Sequence, residues 1–498
     1  MGFASAVASA LQGTRADNRR RYIYSAIPLG EAGHNRGRQR TWRVRPLKVL
    51  AAFVIAAAAL SVVIAYRHAR GATREHADTS SQSWGQYSPF FSVPSAIDAS
   101  TPDGCEVTFA AVLSRHGSRY PTASKAEVYR LLLDRVQKSV SRYARGYEFI
   151  EDFALDPGVD SMTSYGENEL VESGIAFYQR YKLLARDSDP FVRASGSDRV
   201  IMSAQNFTQG FYRAQGKSYD GALEKILVLP EGTDFNNTLD HGTCPAFENG
   251  PNSAHAREKQ KVWGDIWATP IRERLNTKLP GAGLTVQDTI FMMDLCPFDT
   301  VATAGATMSM FCGLFSADEW HGYDYFGSLG KWYQQGNGSP LGPTQGAGYA
   351  NELIARLTGQ AVRDSTTTNS TLDSSPETFP LDRKLYADFS HDNAMVSAYA
   401  ALGLYGKTDD LPVTSKLPPL KAHGFSASWT VPFAGRMYVE KMRCGGEGDE
   451  ELVRIIINDR VQGLDGCGAD HLGRCKLGAF VKSLSFARRG GRWNGCYS

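Results

Sequence analysis

The chain has 498 residues, of which 42% are hydrophobic and 21% are charged, and its formal net charge is +2. This composition is typical of a globular protein that is long enough for two or three domains, and the near-neutral charge does not favour a nucleic-acid partner. The sequence has no Walker motif and no pair of Cys-x-x-Cys motifs, so we predict neither a metal ion nor a cofactor.

The N-terminal part predicts a basic tail and a membrane anchor. Residues 1–48 contain ten Arg and Lys against two acidic residues, and residues 49–66 carry no charge. As a helix the second segment would be roughly 27 Å long, close to the bilayer core of about 30 Å. Positive charge before the helix places the N-terminus in the cytoplasm. We therefore predict a type II signal anchor with the remainder lumenal or extracellular; secretion after cleavage is the alternative.

The polar residues 67–82 lack periodicity and predict a stalk. All eight cysteines lie beyond it, which indicates disulfides on the non-cytoplasmic side but leaves 105 pairings open. Four Asn-x-Ser/Thr sequons also lie beyond the anchor and are candidate glycosylation sites: Asn206, Asn236, Asn337 and Asn369.

A short basic motif is the main indication of function. An apolar run over residues 107–113 predicts a buried strand, and it leads directly into Arg115, His116 and Arg119 within the pattern Arg-His-Gly-x-Arg-x-Pro. Arginine binds phosphate oxygens bidentately, and a neutral imidazole can attack phosphorus. Ligands bind outside the carboxyl ends of such strands, so we predict a phosphoryl-transfer site here. A solvated basic loop is the alternative.

The middle of the chain predicts mainly helices. Ser164 and Glu167 form a capping-box pattern that opens an amphipathic helix to residue 181. Apolar residues at helical spacing over 200–211 predict another helix. Residues 363–376 are rich in Ser, Thr and Asp and predict a surface loop.

A second strand repeats the geometry of the first. Residues 385–389 predict a buried strand, His391 and Asp392 follow it, and residues 394–404 predict a helix. We expect an α/β domain over residues 83–498 with a mostly helical insertion over about 123–340. In the alternative interpretation, His391 is a core histidine and Asp392 is only a helix cap.

The motif at 115–121 together with the distant His391-Asp392 pair resembles the histidine acid phosphatase family. Five segments resemble the fungal phytases in particular: residues 84–91, 193–197, 351–357, 389–393 and 473–477. The resemblance covers about residues 83–498. It implies a larger α/β domain, a smaller helical domain and an active site between them.

The resemblance also implies roles for individual residues. His116 would be the nucleophile of a phosphohistidine mechanism, and Asp392 would protonate the leaving oxygen. Four residues would hold the phosphoryl group: Arg115, Arg119, Arg193 and His391. Four disulfides would form: Cys105–Cys444, Cys244–Cys496, Cys296–Cys312 and Cys467–Cys475.

The substrate follows less directly from the sequence. Lys125, Asp294 and Lys331 match candidate substrate-binding positions of phytases, whereas Val128 and Gly330 are not basic. A phytase that acts on myo-inositol hexakisphosphate is the first hypothesis, and a broad-specificity acid phosphatase is the second. A phosphoglycerate mutase of the same superfamily and a non-catalytic binder of phosphorylated ligands are further alternatives. The expected partners are a small phosphorylated substrate and, through residues 49–66, a membrane.

Overall fold

The structure is a computed structural model that describes residues 80–445 and 450–498. The predicted basic tail (1–48), membrane anchor (49–66) and most of the predicted stalk (67–82) lie outside these residues and stay predictions. Among the helices that are described, none is long and apolar enough to cross a bilayer.

An eight-stranded sheet organises the chain. Its strands are β1 (Cys105–Arg115), β2 (Phe191–Ser195), β3 (Leu227–Leu229), β4 (Leu385–Ser390), β5 (Arg436–Cys444), β6 (Leu452–Ile457), β7 (Arg460–Val461) and β8 (Cys475–Lys476). The order is β3-β2-β4-β1-β5-β6-β7, with β8 beside β6. The pairs β3–β2, β2–β4 and β4–β1 are parallel, and the pairs from β1 through β5 to β7 are antiparallel.

Helices surround this sheet. Those of seven or more residues are α1 (Ala123–Ser139), α2 (Ser164–Arg180), α3 (Asp198–Gln215), α4 (Pro251–Lys278), α5 (Val286–Ala302), α6 (Ala317–Gln334), α7 (Ala347–Thr358), α8 (Asp392–Ala401) and α9 (Leu477–Ser483). Shorter helices lie at Lys182–Ala185, Asp220–Leu223, Pro245–Asn249, Gly342–Gln345, Ser370–Asp373, Ala427–Thr430 and Ser485–Arg488.

The apolar residues of β1 explain why helices cover both faces of the sheet. Ala111 and Leu113 join a core that includes residues of α4, α5 and α6. Ala110 and Val112 point the other way, into a core made with α2 and α3. Successive side chains of a strand face opposite sides, so a strand that is apolar at every position needs a layer on each side.

Side-chain caps fix the beginnings of two helices in the first layer. The hydroxyl of Thr285 accepts from the Asp288 amide while the Asp288 carboxylate accepts from the Thr285 amide, and Ser316 with Glu319 repeats this arrangement. Such reciprocal caps satisfy backbone donors that the first helical turn leaves free. They set where α5 and α6 begin.

The α/β class and the two key strands are confirmed. The expected strand at 107–113 is β1, and the expected strand at 385–389 is β4. The expected helical insertion over about 123–340, however, is interrupted by β2 and β3, which pair with the main sheet. The sequence signal of these strands is weak because they are only five and three residues long.

Two local expectations need correction. Helix α2 is capped by Thr163, whose hydroxyl accepts from the Gly166 amide, rather than by Ser164. The predicted surface loop 363–376 buries Thr366 and Thr367, which are 3% and 1% exposed. Burial is tolerated there because Asp364 accepts hydrogen bonds from the amide and the hydroxyl of Thr366.

All four disulfides implied by the resemblance are present: Cys105–Cys444, Cys244–Cys496, Cys296–Cys312 and Cys467–Cys475. Glycosylation at the four sequons stays a prediction. At two of them the amide nitrogen that would carry a glycan is used internally, since Asn236 donates to Thr368 and Asn337 donates to Leu404.

Candidate active site

The site lies where two parallel strands end side by side. Arg115, the last residue of β1, is in register with Ser390, the last residue of β4. The next residue in each case is a histidine, and the ring centroids of His116 and His391 are 5.6 Å apart. His116 and His391 are 275 positions apart in the sequence (391 minus 116), and parallel pairing of the two strands brings them together.

The imidazole of His116 is buried and held in its neutral form. It is 2% exposed, and its Nδ1 lies 2.9 Å from the carbonyl oxygen of Gly117. A carbonyl can only accept, so Nδ1 carries the proton and Nε2 keeps its lone pair. Burial lowers the pKa of His116 well below its usual range, and the charges of Arg115 and Arg119 lower it further.

The loop that carries His116 packs closely against the start of α2. A Cβ atom on Gly117 would lie 2.3 Å from the carbonyl oxygen of Gly166, so a side chain does not fit. The carboxylate of Glu169 accepts from the Ser118 amide at 2.8 Å, and the hydroxyl of Ser203 accepts from the Gly117 amide at 3.2 Å. The glycine of the motif is thus required by packing, and the loop is held by hydrogen bonds.

Two arginines of the motif place positive charge beside His116. Arg115 lies over the ring of Phe433 at 4.5 Å and donates to the carbonyl of Val431 at 2.9 Å. Burial and neighbouring cations lower the pKa of Arg115 to about 10, although Asp392 opposes the shift. Burial lowers the pKa of Arg119 as well. Both guanidinium groups stay protonated at physiological pH, and an oxyanion would relieve their mutual repulsion.

Arg193 does not join them, which corrects the expectation that it holds phosphate. It lies in β2 opposite Asp388 of β4. Its Nε donates to Asp388 at 2.8 Å and its terminal nitrogen donates to Glu352 at 2.6 Å. Arg356 also pairs with Asp388, at 2.6 Å. The guanidinium of Arg193 is therefore engaged in a buried ion-pair network that joins β2, β4 and α7.

Arg199 takes the place in which Arg193 was expected. It lies in the first turn of α3, just after β2 ends, and its charge acts on both Arg115 and Arg119. Its Nε is buried without a hydrogen-bond partner among the described residues. Sequence reasoning named Arg193 and did not consider Arg199. The signal was available, because Arg199 follows a strand end as His116 and His391 do, whereas Arg193 lies inside the strand.

Asp392 is the first residue of α8 and is held between two cations. Its Oδ2 lies 3.1 Å from Arg115 and 2.8 Å from the Lys331 Nζ. Burial would raise the pKa of Asp392, but the positive charges of Arg115 and Lys331 hold it well below its usual range. These two contacts therefore favour the ionised carboxylate.

His391 is oriented by Glu231, a residue that sequence reasoning missed. The Nε2 of His391 lies 2.8 Å from Glu231, which also accepts from the Ser195 hydroxyl at 2.8 Å. Burial acts in the opposite direction, but these hydrogen bonds lower the pKa of Glu231 to about 2. Because Glu231 holds the Nε2 of His391, the Nδ1 of this ring is the nitrogen that remains for another contact. No local sequence pattern marks Glu231, because its partners come from β2 and from the end of β4.

The candidate substrate residues have different surroundings. Asp294 is 2% exposed and accepts from Lys125 at 2.9 Å, from Tyr129 at 2.6 Å and from the hydroxyl of Tyr323. It therefore positions the partly exposed Lys125 and does not itself face a ligand. Lys331 contacts Asp392 directly, as described above.

Together these residues can bind and transfer a phosphoryl group. Buried cations stabilise an oxyanion, the neutral His116 can attack it, and Asp392 can exchange a proton with a departing oxygen. Within the part of the chain that the structure describes, no cluster of three or more His, Cys, Asp or Glu is arranged to hold a metal ion.

Comparison with known proteins agrees with this chemistry. Residues 106–458 match the family described as the Histidine phosphatase superfamily (branch 2). Phytase A of Emericella nidulans is 50% identical over 422 residues, which cover 83% of this chain and 90% of that protein. Phytase A of Aspergillus oryzae is also 50% identical, over 424 residues with the same coverage. The crystal structure of the phytase from D. castellii superposes with a TM-score of 0.69 at 22% identity, covering 83% of this chain and 86% of that one.

Separate substitutions of Arg199 and Arg193 distinguish a role in anion binding from a role in stability. Arg199→Met should weaken binding of inorganic phosphate by roughly tenfold to a hundredfold, because one charged hydrogen bond is worth about 1.5–3 kcal/mol. Arg193→Met should instead lower the free energy of unfolding by about 3–5 kcal/mol, because it removes the arginine that pairs with buried Glu352 and leaves Asp388 with Arg356 alone. Calorimetric titration with phosphate and denaturant unfolding measure the two effects. Loss of phosphate binding in Arg193→Met with unchanged stability would contradict the assignment.

Proposed function

This chain belongs to branch 2 of the histidine phosphatase superfamily, and we propose that it is a phytase that releases phosphate from myo-inositol hexakisphosphate through a phosphohistidine. The observation that carries the proposal is the neutral, buried His116 at the end of β1, flanked by arginines and adjacent to the His391-Asp392 pair.

In the first step the Nε2 of His116 attacks phosphorus. A nitrogen–phosphorus bond forms while the bond from phosphorus to the inositol oxygen breaks. Protonated Asp392 gives its proton to that oxygen, because an alkoxide is a poor leaving group. The products of this step are the alcohol, phosphohistidine and ionised Asp392.

In the second step a water molecule attacks the phosphohistidine. Asp392 accepts a proton from the water, inorganic phosphate leaves, and His116 returns to its neutral form. Four residues hold the equatorial oxygens in both steps: Arg115, Arg119, Arg199 and His391. Arg193 takes no part in this mechanism, because its guanidinium is engaged by Asp388 and Glu352.

A broad-specificity acid phosphatase is the second candidate. Lys125 is paired with Asp294 and Lys331 is paired with Asp392, so both lysines of the pocket already have a counter-charge. This favours a less strict preference for a hexaphosphate. Comparing kcat/KM for phytate and for a simple alkyl phosphate decides between the two. We do not favour a non-catalytic binder, because a binder would need the arginines but neither His116 nor Asp392.

The nucleophile can be trapped directly. His116→Ala should fold normally but lose turnover by about 10³-fold or more, because no other group can take its place. With ³²P-labelled substrate and a denaturing quench under alkaline conditions, wild type should carry label on histidine and the variant should carry none. Label on a serine or an aspartate would refute the phosphohistidine mechanism.

Leaving groups test the role of Asp392. Asp392→Asn keeps the size of the side chain but has no proton to give, so hydrolysis of alkyl phosphates should slow by about 10²–10⁴-fold. Hydrolysis of p-nitrophenyl phosphate should slow far less, since its leaving group needs no protonation. Steady-state kinetics on both substrates measure the difference. An equal loss on both, with chemistry rate-limiting, would show that Asp392 is not the acid.

A further inference from the structure

Lys331 makes contacts that a substrate-binding lysine does not need. Its Nζ lies 2.8 Å from the Oδ2 of Asp392 and 2.5 Å from the Oδ1 of Asn393. The residue is 9% exposed and projects from α6, an element separate from the helix that carries Asp392. Its charge is thus directed at Asp392, the proposed proton donor.

This arrangement conflicts with the chemistry that Asp392 has to perform. A general acid must hold a proton when the leaving group departs. The charged and titratable groups that act on Asp392 are Arg115 and His116 at the end of β1, Arg119 in the loop that follows and Lys331 of α6. The contacts of Arg115 and Lys331 favour the ionised carboxylate, so in this arrangement Asp392 has no proton to donate.

The ligand itself can resolve the conflict. A phosphate group bound by the arginines brings negative charge next to Asp392 and competes for Arg115. Lys331 can likewise turn toward a phosphate oxygen, because lysine has a flexible stem and rotatable donors. Each change weakens the ion pairs that Asp392 makes with Arg115 and Lys331. A nearby negative charge further disfavours the ionised form of Asp392.

We propose that Lys331 is a positioning residue that keeps Asp392 ionised until substrate binds, and that binding of the substrate phosphate releases Asp392 to take up a proton from solvent. This inference rests on the proposed function, in which Asp392 protonates the leaving oxygen. It makes proton donation conditional on an occupied site, and it confines activity to acidic conditions.

The direction of the pH effect follows from the charges. Activity falls as pH rises through the pKa of the acid, and Lys331 lowers the pKa of Asp392. Removing the ammonium should therefore move the basic limb of the pH profile upward. One opposite charge at contact distance shifts a carboxyl pKa by about 1–3 units, so we expect a displacement of about one pH unit or more.

Three variants isolate this effect. Lys331→Met removes the charge at similar length, Lys331→Arg keeps the charge, and Lys125→Met removes the other lysine of the pocket, which is 2.9 Å from Asp294. With kcat/KM for glycerol phosphate measured against pH, only Lys331→Met should displace the basic limb. The proposal would be overturned if the basic limb of the pH profile stayed at its wild-type position in Lys331→Met. It would also be overturned if Lys331→Arg displaced that limb as far as Lys331→Met does.

Proton uptake gives a readout that does not depend on turnover. Sulfate mimics the phosphate dianion but does not titrate at mildly acidic pH. Calorimetric titration with sulfate in two buffers of different ionisation enthalpy should show proton uptake by wild type and none by Asp392→Asn. Sulfate binding without uptake in wild type would refute the inference. Uptake in a protein that hydrolyses no phosphomonoester would refute the proposed function and leave this inference standing.

Discussion

The parallel pairing of β1 with β4 is the constraint on which the site depends. Its register sets Arg115 opposite Ser390, so the residues just beyond the two strands meet at one edge of the sheet. β2 is parallel to β4 and ends at the same edge, where α3 begins with Arg199 in its first turn. Three segments far apart in sequence thus deliver His116, Asp392 and Arg199 to one place, as expected for the carboxyl edge of a parallel sheet.

Two kinds of buried charge stabilise this edge in different ways. In the network around Asp388, each arginine has carboxylate partners, and the charges hold β2, β4 and α7 together. Beside His116, the arginines outnumber the carboxylates, because the charges that act on Arg115 include Arg119 and Arg199 but only one carboxylate, Asp392. Unsatisfied buried cations are costly, and an oxyanion is the ligand that relieves the cost. Balanced charge therefore supports the fold, and unbalanced charge supports binding.

The sequence alone predicted the two strands that matter most, because each is a continuous apolar run followed at once by polar residues. The motif then placed His116 between its arginines, and the resemblance placed Asp392. Sequence reasoning named Arg193 as a phosphate-binding residue and did not consider Arg199. Arg193 lies within β2, and its guanidinium is neutralised by Asp388 and Glu352, which are far away in sequence. The role of Glu231 and the short strands β2 and β3 likewise depend on tertiary partners that leave little local trace.

The central claim is that His116 and the cations around it form one binding site for a transferring phosphoryl group. A crystal structure of the full chain with orthovanadate tests this most directly, because vanadate adopts the geometry of that group. We expect vanadium bonded to the Nε2 of His116, with its oxygens contacting Arg115, Arg119 and Arg199, while Arg193 stays paired with Asp388. Vanadate bound away from His116, or held by Arg193, would contradict the account.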